Sequence, residues 1–63
     1  MPNLSVQDML RIKSLLNLEL LQVKKYSKYA NTTKDPQLKT SYEQICAKHQ
    51  VHYKSLIEIL NQN

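Results

Sequence analysis

Apolar positions recur along this chain at steps of three and four, in two long runs separated by one break. In the first run, Met9, Ile12, Leu16, Glu19, Val23, Tyr26 and Ala30 keep that spacing. In the second, Leu38, Tyr42, Ile45, His49, His52, Leu56 and Ile59 keep it. Steps of three and four bring side chains onto one face of an α-helix, so each run predicts one amphipathic helix. The first covers residues 6 to about 30 and the second residues 36 to about 60, with residues 31–35 between them. Each run is interrupted near its middle by groups that do not belong in an oily stripe: one acid in the first, two histidines in the second.

The ends of the runs carry start and stop signals. Ser5 followed by Asp8 reads as a capping box, in which each side chain satisfies a backbone N–H of the other. Asp35 followed by Pro36 is a second helix start, a cap and then a residue that tolerates the first helical position. Asn31 is the expected end of the first helix, standing where glycine often does. Asn61, Gln62 and Asn63 are expected to fray. A connection this short favours antiparallel neighbours. The expected architecture is therefore all-α, a single helical-hairpin domain over residues 1–63 with two arms of nearly equal length. At 1.5 Å per residue the first arm is about 37 Å long. Leu15 and Leu20 widen its stripe on the two flanks, whereas Leu10, Leu18 and Leu21 fall towards the opposite side. Lys13, Lys24, Lys25 and Lys28 point mainly away from the seam, as solvated lysines do.

Size makes this hairpin an unfinished fold. A chain of 63 residues buries only about 60% of the surface it exposes when unfolded. Domains this small usually need disulfides, a metal or a partner chain. The single cysteine, Cys46, excludes a disulfide within one chain. Self-association, a metal or a larger assembly remain. The sequence has no glycine, which argues against tight turns and phosphate-cradling loops. The net charge of +4 comes mostly from lysines, without the arginine clustering of a nucleic-acid reader, and no nucleic-acid partner is expected. Met1 to Ser5 show no basic segment leading into an apolar one, and no apolar run approaches the ~20 residues of a membrane span. The expected location is inside a cell.

Folded about a midpoint near Thr33, the hairpin sets Leu16 level with His52, Val23 with Ile45, Ile12 with Leu56, and Met9 with Ile59. Glu19, level with about Lys48, then lies opposite His49 and His52. Two hairpins packed together would complete a four-helix bundle and bring two copies of each of these three residues to its centre. Inward-facing carboxylates and imidazoles are the general layout of a metal centre in a bundle, so Glu19, His49 and His52 are the candidate ligands of a transition metal. The same residues also read as a hydrogen-bonded polar layer that fixes register, or as a seam edge that reaches solvent. Tyr26 and Tyr42, near the loop end, suit face-to-edge packing. Tyr29 and Tyr53 fall on the flanks, where oxidative crosslinking is an alternative role. Cys46 reads as a small buried hydrophobe or, if exposed, as a crosslinking thiol. No nucleophile with a base and an orienting group is legible, and no catalytic residue is expected.

Several short stretches resemble the spore coat protein F-like family, whose domain belongs to the ferritin-like helical bundles. They are the leucine-rich first helix with tyrosines near its end, Leu15 to Tyr29; the linker and helix start Asp35, Pro36, Gln37, Leu38 and Lys39, similar to that family's Asn/Asp-Pro-x-Leu-Arg segment; and Gln44, Ile45, His52, Leu56 and Leu60 of the second helix. The family often carries a glutamate where His49 stands, and coat proteins commonly have an aromatic or glycine-containing tail that this sequence lacks. The resemblance implies a spore-forming bacterium, synthesis in the cytoplasm, and a structural role in the spore coat among other coat proteins.

The expected function is thus a non-enzymatic structural protein that self-assembles through a hairpin dimer, with Leu10 and Leu21 as a further contact surface. The alternatives are a metal-binding ferritin-like bundle using Glu19, His49 and His52, and a small regulatory hairpin docking on a protein partner. The second is the mode of the small sporulation phosphatases, whose Ser-Gln-Glu-Leu-Asp-type signature is missing here.

Overall fold

A computed structural model of the chain describes residues 3–62. Helix α1 runs Val6–Thr32 and helix α2 runs Pro36–Asn61. The two pack against each other along their length, and the described residues contain no strand. Met1, Pro2 and Asn63 lie outside the described residues, and with them part of the leader reading at the N-terminus and of the frayed end.

Both helix starts follow from their caps. The Ser5 hydroxyl accepts from the Asp8 N–H at 3.0 Å, and the Ser5 N–H donates to the Asp8 carboxylate at 3.4 Å. At α2 the Asp35 carboxylate accepts from two backbone N–H groups, Gln37 at 2.8 Å and Leu38 at 3.2 Å. Pro36 at the first helical position has no N–H to satisfy.

The end of α1 differs from expectation. Asn31 remains helical, and the helix stops two residues past Ala30, where Thr33 turns extended at φ −70°, ψ 143°. No described residue has a positive φ. Three polar bonds replace the left-handed cap: the Thr32 hydroxyl donates to the Lys28 carbonyl at 2.8 Å, the Thr33 N–H donates to the Tyr29 carbonyl at 3.0 Å, and the Thr33 hydroxyl accepts from the Asp35 N–H at 3.2 Å. With no glycine for a left-handed residue, an extended exit closed by threonine hydroxyls is the unstrained alternative. At the other end, α2 remains helical through Asn61, and the Gln62 N–H donates back to the Glu58 carbonyl at 3.1 Å.

The arms meet in a narrow seam. Met9, Ile12, Leu16, Glu19, Val23 and Tyr26 are half-buried, and Ala30 is the one described residue that is buried. On α2 the facing residues are Tyr42, Ile45, Cys46, His49, Tyr53, Leu56, Ile57, Ile59 and Leu60, all half-buried. This seam is wider than the expected one: it keeps Tyr42, Ile45, His49, Leu56 and Ile59 and adds Cys46, Tyr53, Ile57 and Leu60. Tyr53 turns in from its expected flank, His52 moves to the rim, and Leu38 is 45% exposed. At the loop end the exposed Lys39 donates its ammonium to the Ala30 carbonyl at 3.2 Å. Positions 42, 46, 49, 53, 56 and 60 keep the four-three rhythm just as regularly as the expected set.

The back of α1 is open. Leu10, Leu18 and Leu21 are exposed as the pattern requires, at 57%, 53% and 62%, and Leu15 and Leu20 are also largely exposed. Two helices side by side make one layer, with Cα extents of 46 × 17 × 11 Å.

Replacing Asp35 with alanine removes the acceptor of two N–H groups and should cost about 1 kcal/mol in urea unfolding. Ala30→Leu, at the tightest point of the seam, should cost about 1–3 kcal/mol by overpacking.

Candidate functional site

The repeat along α1 forces an acid into the seam. Glu19 is one turn beyond Leu16 and one turn before Val23, so it must face α2. On α2, His49 and His52 are one turn apart and project to the same side of the hairpin. All three meet. His49 Nδ1 lies 3.1 Å from Glu19 Oε1 and 3.2 Å from Oε2, and His52 Nδ1 lies 3.1 Å from Oε2. One carboxylate thus accepts from two imidazoles, which requires a hydrogen on each Nδ1 and leaves each Nε2 directed elsewhere.

The cluster is graded from inside to outside. The Glu19 side chain is 17% exposed, that of His49 23% and that of His52 49%. The expected convergence and the expected seam edge are therefore both present, in different residues: His49 is inside and His52 stands at the rim. Each ring is held by neighbours. Tyr26 stacks on His49 with centroids 6.1 Å apart and planes at 15°. His52 meets His49 edge-on at 5.9 Å and 88°.

Towards the loop, three tyrosines continue the packing. Tyr26 and Tyr42 are tilted by 40° at 6.1 Å rather than face to edge. Tyr29 joins from its flank, edge-on to Tyr26 at 5.7 Å and 5.4 Å from Tyr42. The Lys25 ammonium lies 5.5 Å from the centre of the Tyr26 ring and 5.9 Å from that of Tyr29. These contacts give the tyrosines a packing role with polar ends near water.

Cys46 is close in sequence but not part of the cluster. Its thiol donates to the Val23 carbonyl at 3.5 Å, across the seam. Sequence reasoning missed this contact because it set Ile45, not Cys46, opposite Val23. On the side of the hairpin away from His52, Leu20, Val23, Ala47, Val51 and Tyr53, with Gln50 and Lys54, line a shallow, mostly apolar groove. The signal for it was the alternative four-three series through Cys46 and Tyr53.

Chemically, the cluster offers one carboxylate oxygen and two imidazole nitrogens. These ligand atoms, one from each residue, lie within 4.8 Å of one another, and Glu19, His49 and His52 are the described residues that could together hold a metal ion. As they stand they also form a complete hydrogen-bonded layer, with no buried side-chain nitrogen or oxygen left unpartnered among the described residues.

Removing the shared acceptor with Glu19→Ala should lower stability by about 1–2 kcal/mol, because the half-buried His49 and the rim residue His52 lose their partner together. Replacing the inner pair, Glu19→Leu with His49→Leu, should restore or exceed the parent stability, since a well-packed apolar pair often matches a buried polar one. Urea denaturation of the three proteins checks both.

No protein-family model matches the chain, and neither does any curated protein or solved structure.

Proposed function

We propose that this chain is a non-enzymatic structural protein that assembles by pairing hairpins into a four-helix bundle. One observation carries the reading. The chain exposes 4991 Å², whereas a folded monomer of 7.4 kDa exposes about 4,200 Å² by the usual size scaling. The excess, about 800 Å², is what one partner buries in a standard protein–protein interface.

The face that a second copy covers is the one bearing His52. Leu38, Ile45, His52 and Ile59 recur every seven residues along α2, and Leu15, Gln22 and Tyr29 do so along α1. In an antiparallel pair whose seam contains Glu19 and His49, these two lines flank the same side. Leu15, Tyr29 and Leu38 on that side are 46%, 40% and 45% exposed. A two-fold axis through this face brings two Glu19–His49–His52 clusters to the middle of the bundle, with apolar layers on either side. The exposed Leu10 and Leu21 behind α1 supply the contact for larger assemblies. The described residues include no helix long and apolar enough to cross a membrane.

The resemblance to the spore coat protein F-like family, carried by Leu15–Tyr29, Asp35–Lys39 and the His52–Leu60 segment, supports the spore coat as the place of assembly and other coat proteins as neighbours. It supports no catalytic role.

Sedimentation equilibrium decides the first step. The protein should run at twice its chain mass or more at micromolar concentration, and Leu38→Glu should reduce it to a monomer. A parent chain that is monomeric and fully helical under those conditions defeats the reading.

A further inference from the structure

We propose that Glu19, His49 and His52 of a single chain bind one divalent transition metal ion of the zinc type. A tetrahedral ion with bonds of 2.0–2.1 Å holds its ligand atoms about 3.3 Å apart. Glu19 Oε2 already stands 3.2 Å from Nδ1 of His49 and 3.1 Å from Nδ1 of His52. All three ligand atoms fall within 4.8 Å, so only the separation between the two imidazoles has to close further. Side-chain rotation of the rim residue His52 accomplishes that without moving either helix.

The donor set selects the class of ion. Two neutral nitrogens and one carboxylate oxygen suit zinc, cobalt, nickel or copper. Calcium and magnesium require oxygen ligands, and more of them. Three protein ligands leave a fourth position, and the 49% exposure of the His52 side chain lets water reach it in the single chain; in the paired bundle the second copy covers that side. Stacking on Tyr26 and the edge contact between the rings limit the rotamers of both histidines before the ion arrives. Binding exchanges one set of bonds for another. The hydrogens on the two Nδ1 atoms move to Nε2 or to solvent, and the freed lone pairs go to the metal. The hydrogen-bonded layer and the metal site are thus two states of the same three residues.

This site does not depend on the dimer, because one chain supplies every protein ligand. The test is a cobalt(II) titration of the untagged full chain, followed by visible absorption and by melting temperature. The parent should develop the intense d–d bands of four-coordinate cobalt at one ion per chain, lose them on adding zinc, and melt higher with either metal. Glu19→Gln and His52→Ala, checked for helix content by circular dichroism, should each weaken cobalt binding at least about tenfold, as loss of one of three ligands requires. The Leu38→Glu chain should keep the bands even as a monomer. A parent spectrum no different from aqueous cobalt overturns the proposal, as does unchanged binding by His52→Ala. Loss of the bands in the folded Leu38→Glu monomer overturns the single-chain site, while a failure to dimerise with binding intact overturns only the assembly reading.

Discussion

Two helices lying side by side can bury only the strip along which they touch, and that constraint governs the rest of this molecule. A third element would cover the flanks; this chain has none among its described residues. Ala30 alone among the described residues is buried, and every large side chain of the seam keeps part of its surface in water. Hydrophobic burial scales with area removed from water, so a fold with this geometry is left with apolar surface that its own residues cannot reach. The caps at Ser5 and Asp35 hold the helix ends in place, but each satisfies only a few backbone groups. They fix where the arms begin and add little towards a core.

A polar centre inside so thin a seam has a specific physical role. Apolar layers slide past one another at modest cost, because leucine against isoleucine is much like leucine against valine. The Glu19–His49 contact does not tolerate sliding. A shift of one turn would trade one of its two histidines for Ile45 or Leu56, and the carboxylate would lose a donor. Three ionisable groups in the middle therefore give up some stability and set the alignment of the arms, as polar residues in helical seams are known to do. Tyr26 and Tyr42 add a second constraint nearer the loop, since their rings pack only at that register.

Much of this was legible before any coordinates. The four-three rhythm, the Ser5–Asp8 pair and the Asp35–Pro36 step are local signals, and each located its element to within a residue or two. The meeting of Glu19 with both histidines followed from counting back from the loop. What the pattern could not decide was how far round α2 the seam extends. Two series, one through Ile45 and His52 and the other through Cys46 and Tyr53, have the same period and similar apolar content. In the packed hairpin both contribute, Ile45 and Ile59 from one and Cys46, Tyr53 and Leu60 from the other. Those are tertiary facts with no counterpart in a single helix. The end of α1 was misjudged for a related reason. Asn31 is a plausible stop by residue type, but hydroxyl bonds from Thr32 and Thr33 carry the helix further.

The connector has one more consequence. Short links between helices sometimes straighten, letting two copies exchange arms through one continuous rod. Here Pro36 opposes that route. In an uninterrupted helix its ring would collide with the carbonyl of Thr32, and the hydrogen bond across that turn could not form, at a cost of ~3 kcal/mol or more. Thr33, Lys34 and Asp35 must therefore stay bent, and arm exchange between copies is disfavoured from the outset.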